Sequence, residues 1–305
     1  MNTTLRTLPV AALALLGLAL PALVRAQQAY PSPDAAADAL VAALGTDHAD
    51  ADKLAALLGK DWRDYIPPAG GQRADVEAFL SGYRERHSIK TAADGHANLV
   101  VGKNDWSLPI PLTKGKDGWR FDLRAGATEI RERRIGRDEL AAVEAARAYD
   151  DAQMEYAEVD RDGDGVLEYA QKILSTDGQH DGLFWADDDS GEISPLGPLF
   201  ADASPGSDWH GYHYRILTAQ GPSAPGGAYS YMLGKNMSRG FALIAWPAKY
   251  GDSGVMSFMI SHDGEVFEKD LGPGSEKLAK AMPRFDPDSS WQEVKDTDTA
   301  AAAAQ

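Results

Sequence analysis

Cysteine is absent from all 305 residues. That absence excludes a disulfide framework, a lipobox for acylation and any thiolate chemistry. Basic residues are scarce as well: 30 Lys and Arg face 46 Asp and Glu, for a formal charge of −16. A field of that sign repels phosphate backbones and anionic lipid headgroups and attracts divalent cations, so nucleic acid is not an expected partner. The apolar stretch at the N-terminus, Leu8 to Leu20, runs for about 13 residues, short of the roughly 20 that a helix needs to span a bilayer.

What that stretch does resemble is the core of a secretory signal. Arg6 supplies the positive region ahead of it, and Val24-Arg25-Ala26 a small-x-small end before Gln27. Residues 1–26 are therefore expected to be a signal peptide, with a periplasmic or secreted product and no membrane span after its removal. The signal holds two arginines and no acid, so the 279 residues that remain of 305 after 26 carry 28 basic against 46 acidic groups, or −18. Without disulfides, such a chain depends on its own core or on a metal.

Periodicity predicts an α+β fold in two units. Residues 27–135 form the first. Ser32-Pro33-Asp34 has the order of a helix start, a hydroxyl cap, a proline at the first helical position and an acid in the first turn. Helices are predicted there, over Asp50 to Leu58 and over Ala74 to His87, followed by strands at Asn98–Val101, Trp106–Thr113 and Trp119–Leu123. Lys114 to Gly118 reads as a hairpin loop, and Pro109 and Pro111 suit an edge or bent strand. Glu129–Arg134 reads as a separate charged turn, with Gly136 as a break.

The second unit, 136–294, opens on a long helix whose Leu140, Val143, Ala146, Tyr149, Ala152, Tyr156 and Val159 recur every three or four positions. An acidic loop follows, with a second helical start running to Leu174. Ser175 to Ser207 reads as an irregular packed loop anchored by Leu183-Phe184-Trp185 and Leu196 to Phe200. A meander of four strands is then predicted at Tyr212–Thr218, Gly240–Trp246, Val255–Ser261 and Glu265–Lys269. Asp263-Gly264 reads as a turn with positive φ at both central positions. Residues 295–305, rich in Asp, Thr and Ala, read as a disordered tail.

The most specific chemistry lies in Asp160-Arg161-Asp162-Gly163-Asp164-Gly165. These residues match the first six positions of an EF-hand calcium loop, with acids at one, three and five and glycine at six. Asp160, Asp162 and Asp164, the Val166 carbonyl at position seven and Glu168 at position nine make a candidate Ca2+ ligand set. Position twelve is Gln171, where the motif has a bidentate glutamate. Glu155 and Glu158 precede the loop at the negative end of the helix dipole, so the packed charges need a cation, a lysine or solvent.

Three other strings read as structural. Gly251-Asp252-Ser253-Gly254 copies a serine-protease nucleophile string but runs into a strand, so it reads as a turn. His210 and His213 would point to opposite faces of a strand, which does not suit a zinc pair. Gly221 to Ala228 lacks the lysine and helix of a phosphate loop and reads as a flexible connection.

Taken together, WSLPIPLTKGKDGWRFDLRAG, RRIGRDELAAVEAARAY, DRDGDGVLEYAQKILST, GYHYRILTAQGPSAPGGA and GFALIAWPAKYGDSGVMSFMISHDGEVFEKDLG resemble the bacterial family of unknown function DUF2950. The resemblance covers nearly all of the chain after residue 26 and implies an exported protein with no assigned reaction or cofactor. GYHYRI, FALIAWP and SGVMSFMISHDGEVF are also similar to the soluble heads of type IV pilins and pseudopilins. The membrane half of a pilin helix is not found ahead of Leu140, so that similarity implies fold and not fibre assembly.

The function expected is a non-catalytic structural or binding component of the envelope, tightened by a divalent cation, with an envelope protein or a small ligand as partner. One alternative is a metal-dependent extracytoplasmic hydrolase using His180 and Asp187 to Asp189. Another is a small-ligand pocket lined by Trp62, Trp106, Trp119 and Phe121.

Overall fold

A computed structural model describes residues 27–66, 73–92, 95–186, 191–197 and 208–295. The signal-like residues 1–26, the acids Asp187 to Asp189, the anchors Leu199 and Phe200, and the tail from residue 296 lie outside the described residues.

The fold is α+β. Four helices come first: α1 (Pro33–Leu44), α2 (Ala51–Leu58), the single turn α3 (Trp62–Tyr65) and α4 (Arg73–Glu85). Their starts are written in the sequence, because Ser32 accepts from the Ala35 amide and Asp50 from the Lys53 amide, each satisfying a donor with no helical partner. Strands β1 (His87–Thr91), β2 (Ala97–Val101), β3 (Trp106–Ser107), β4 (Leu112–Gly115) and β5 (Gly118–Phe121) make an antiparallel sheet in the order β1-β2-β4-β5, with β3 also on β2.

The strand predicted over Trp106–Thr113 is thus two strands. Pro109 and Pro111 lack the amide donors that a continuous ladder needs, and the segment between them turns the Ile110 side chain into the core. Gly118 has φ of +130°, and a Cβ there would stand 2.3 Å from the Tyr30 carbonyl oxygen, so only glycine admits the Tyr30–Trp119 pairing.

Helix α5 (Leu123–Tyr156) is one helix of 34 residues. This corrects two expectations: Glu129–Arg134 is not a separate turn, and Gly136 does not break the helix. A glycine costs only about 1 kcal/mol in a helix interior, less than the tertiary contacts on either side supply. The boundary between 135 and 136 therefore falls inside a continuous element that joins two cores. One core gathers Leu40, Leu57, Ile110, Leu112 and Phe121; the other gathers Tyr149, Tyr212, Phe241, Ile244 and Phe258.

The second core is built on β6 (Tyr212–Leu217), β11 (Ala242–Pro247), β12 (Met256–Ser261), β13 (Val266–Asp270) and β14 (Gln292–Glu293), antiparallel in the order β14-β13-β12-β11-β6. Between β6 and β11 lie two short ladders, β7 (Ala219–Gln220) with β8 (Tyr229–Ser230), and β9 (Met232–Leu233) with β10 (Asn236–Met237). Every residue of β11 is buried. One sheet face carries Arg215, paired with Ile244, whose guanidinium donates to carbonyls at the end of α6 (Ser275–Ala281). The opposite face carries Tyr212 and Tyr214, which feel the carboxylates of Asp138 and Glu139 on α5.

Helix α6 and strand β14 were not anticipated, being too short for periodicity to register. At the β12–β13 hairpin only Gly264 takes positive φ, +82°, and its amide donates to the Ser261 carbonyl at 2.9 Å. The hairpin expected at Asp263-Gly264 is present, but Asp263 does not take the positive φ expected of it.

The second helix expected after the acidic loop does not form. Its amides are spent elsewhere: the Tyr169 N–H donates to the Met237 carbonyl, and the Ala170 N–H donates to Gln153 Oε1, both at 2.8 Å. A helix needs those donors for its own ladder.

Candidate metal centre

The acidic loop leaves α5 just past Tyr156 and returns beneath the β9–β10 hairpin. Its backbone is shaped by its own acids. Asp160 accepts from the Gly163 and Gly165 amides, each at 2.9 Å, Asp162 from the Asp164 amide at 3.2 Å, and Asp164 from the Val166 amide at 2.9 Å. Gly163 and Gly165 have φ of +71° and +83°, which lets successive amides turn inward on the carboxylates.

One ligand oxygen from each of Asp160, Asp162 and Asp164 can lie within 4.8 Å of the others. Like charges that close repel, and the compensation comes from the hairpin. The Lys235 ammonium stands 2.8 Å from Asp162 and 3.2 Å from Asp164, while the Asn236 side-chain amide donates to Asp164 at 2.8 Å. These contacts lower the Asp164 pKa, the Asn236 bond foremost, and the bonds to Asp162 and Asp164 raise that of Lys235. Gln171, at position twelve, turns its amide to the Lys235 carbonyl at 2.8 Å, holding the hairpin instead of closing a coordination sphere.

Glu168 is half-buried beside this group, and its Oε2 is buried without a hydrogen-bond partner. Burial, joined by the charges of Asp162 and Asp164, raises its pKa. An orphaned hard acceptor next to three converging carboxylates is the donor chemistry that a cation such as Ca2+ takes, so the residues present fit the ion.

Two further ties fix the loop. Gln153, fully buried on α5, accepts from the Ala170 amide and donates to the Ala170 carbonyl and to the Tyr149 hydroxyl, at 2.8, 2.8 and 2.9 Å. Arg161 turns inward: it pairs with Glu192 at 2.9 Å, donates to the Tyr156 carbonyl and lies over the Tyr156 ring. Glu192 in turn meets His180 Nδ1 at 2.9 Å, and the His180 ring stacks on Trp185.

A sequence model of one family, described as protein of unknown function (DUF2950), matches residues 27–294. The chain belongs to the DUF2950 family. No curated protein and no solved structure matches it.

In this DUF2950 protein the other singled-out residues do not gather into a site. Ser253 donates to the Gly211 carbonyl at 2.7 Å and accepts from the Lys249 amide at 3.0 Å, tying one turn to another. His210 takes φ of +50° in the two-residue turn between Trp209 and Tyr212, whereas His213 lies on β6 beside Trp246. Trp62, Trp119 and Phe121 pack into the first core, while Trp106 lies outside that core under Arg133. A cleft of about 230 Å³ in the first unit is lined by other residues, among them His96, Asn98, Ser107 and Glu129.

The Gly221–Ala228 connection is pinned. The buried Gln220 side chain donates to the Gly227 carbonyl at 2.8 Å, and Asp286 accepts from the Ser223 amide at 2.8 Å. Lys235, Asn236 and Gln153 are the functional residues that sequence reasoning missed. The first two follow a glycine in a hairpin more than 70 positions from the acids they hold, and no local spacing links them.

Proposed function

We propose that this DUF2950 protein is an exported, non-catalytic binding or structural component of the bacterial envelope whose acidic loop takes up a divalent cation, with Ca2+ the best chemical fit. The observation that carries this reading is the convergence of the Asp160, Asp162 and Asp164 oxygens within 4.8 Å beside the unpartnered Glu168 Oε2. The Val166 carbonyl offers a fifth hard donor, and calcium takes six to eight oxygens in flexible geometry. Lys235 is the resident counter-charge. An incoming ion competes with its ammonium for Asp162 and Asp164, so loading trades the lysine contact for coordination of the loop. The signal-like N-terminus supports export, and the structural engagement of Ser253 and His180 favours binding over catalysis.

Thermal unfolding of the chain from Gln27 onward, with chelator and then with calcium or magnesium, tests the reading. Binding to the native state alone adds about 2.7 kcal/mol at a hundredfold excess over Kd. Calcium is expected to raise the midpoint, to raise it further in Lys235→Ala, and to leave Asp160→Ala/Asp162→Ala/Asp164→Ala unmoved. No calcium shift in either the parent or Lys235→Ala would reduce the loop to a lysine-clasped turn.

A further inference from the structure

Eight large apolar side chains stand exposed among the described residues, and all but Trp106 and Leu278 lie on the end of α5, in the acidic loop or on segments bonded to that loop. Met154 lies on the last turn of α5, and Val159, Val166 and Leu167 are in or beside the acidic loop. Leu233 pairs with Asn236, whose amide is bonded to Asp164, and Ile193 follows the Glu192 that holds Arg161. Leu167 is 56% and Leu233 65% exposed. Among the described residues the other large apolar groups, Trp106 and Leu278 apart, are buried or half-buried, so this concentration is a surface feature with a use.

The same end is acidic. Glu155, Glu158, Asp160, Asp162, Asp164 and Glu168 alternate along the chain with Val159, Val166 and Leu167. Of the two nearby cations, Arg161 is turned inward with 12% of its side chain exposed, and Lys235 is paired to Asp162 and Asp164.

We propose that this apolar, acid-rimmed face is a docking surface for a basic amphipathic segment of another protein. Charge selects that occupant. Lysines or arginines on one face of such a segment meet the carboxylates, while its apolar face covers Val166, Leu167 and Leu233. An anionic membrane meets repulsion here, since among the described residues the cations beside the apolar groups, Arg161 and Lys235, are already paired with carboxylates. A second copy would lay acidic loop on acidic loop between chains that each carry −16. The inference rests on the reading of the protein as a binding component, and it does not require the cation, whose uptake by Asp160, Asp162 and Asp164 would lower the charge that the segment meets.

The probe is a synthetic helical peptide of about 18 residues, long enough to form a helix on a surface, with leucine at i, i+3 and i+4 and lysine elsewhere. A control peptide carries glutamate in place of lysine, and phosphatidylglycerol vesicles provide the lipid arm. Titrations of the chain from Gln27 onward are run in chelator and again in calcium. The lysine peptide is expected to bind in both, more weakly in calcium if the loop takes up the ion and more weakly as salt rises. Affinity should fall at least about tenfold in Leu167→Ser/Leu233→Ser and stay unchanged in Leu278→Ser, because apolar anchors at the centre of a contact carry most of its energy.

Hydrogen exchange on the unsubstituted protein supplies the second readout, with new protection expected over residues 158–168 and 232–237. Absence of binding, equal binding of the glutamate peptide, protection elsewhere or an equal loss in Leu278→Ser would overturn the assignment. Binding to the vesicles and not to the peptide would overturn it in favour of a lipid surface. A failed calcium shift in the melting experiment leaves this outcome untouched, so the two readings fail separately.

Discussion

The two halves of α5 are parts of one helix held in place by different physics. The second half, from Ala142 to Tyr156, buries an apolar stripe of Val143, Ala146, Tyr149, Ala152 and Tyr156 against the meander. The first half buries only Leu123 and Gly126 at its start. Beyond them it is fastened by polar ties: Asp122 caps it through the Ala125 amide at 3.0 Å, Arg133 donates to the Ser107 carbonyl at 2.8 Å, and Arg134 donates to the Asp252 carbonyl at 3.2 Å. A helix that is polar on most sides is the form expected of a connector between cores. The difference teaches that helix continuity does not require a continuous hydrophobic stripe.

If that contrast is sound, the largest single effect belongs to the buried half. Gln153→Ala removes three hydrogen bonds and strands the Ala170 amide and carbonyl in the core, while the Tyr149 hydroxyl keeps its bond to the Ala242 carbonyl. Each stranded group costs about 1–3 kcal/mol, so a loss of about 3 kcal/mol is expected in urea unfolding. The second-largest effect is in the polar half, where it comes from backbone contact. A Cβ on Gly126 would stand 2.2 Å from the Pro109 carbonyl oxygen, so Gly126→Ala forces the β3–β4 connection away. A net loss of about 2 kcal/mol is expected, overpacking offset in part by alanine's helix propensity. Gln153→Ala and Gly126→Ala of equal, small effect would erase the distinction between the halves.

The same contrast explains what could be read in advance. Helices α1 and α2 were legible because capping residues and apolar periodicity coincide in them, α4 from its periodicity, and the meander because its strands are rich in branched and aromatic residues. The middle of α5 was not, since its attachments are arginines reaching to Ser107 and Asp252, which no local pattern reveals. The helix expected after the acidic loop failed for a related reason: Val166, Leu167, Ala170 and Ile173 have helical spacing, but Gln153 and Met237 take the amides. At the site, the Asp160–Asp164 spacing was local and therefore visible. The clasp of Lys235 and Asn236 is a tertiary contact, and only the fold brings it there.

A pH test sets one carboxylate of each half against the other. Burial foremost pushes Asp138 up to about 6, and burial with the Asp151 and Asp263 charges does the same for Asp150. The native carboxyls then hold protons that the unfolded chain releases near pH 4, so stability falls as pH rises from about 4 to 6 and is level above. Asp138→Asn and Asp150→Asn should each stabilise the protein at pH 7 by about 1 kcal/mol, a figure reduced for the part of each group that remains in water. The gain should vanish at pH 4, where parent and variant are both neutral. A gain that persists at pH 4 would assign the effect to packing instead.

The smallest expected change is also the one that most directly probes the connector. Gly136 sits in the interior of α5 with no atom within 4 Å of where its Cβ would be. Alanine there meets no neighbour and removes backbone freedom from the unfolded chain, so Gly136→Ala should raise stability by about 1 kcal/mol. A break or hinge at this position would reverse the sign, because alanine would then resist a conformation that glycine permits. Denaturant melts of Gly136→Ala and Gly126→Ala therefore form a pair within one helix: the same substitution, ten residues apart, with opposite signs, set by whether a carbonyl or open space faces the added methyl group.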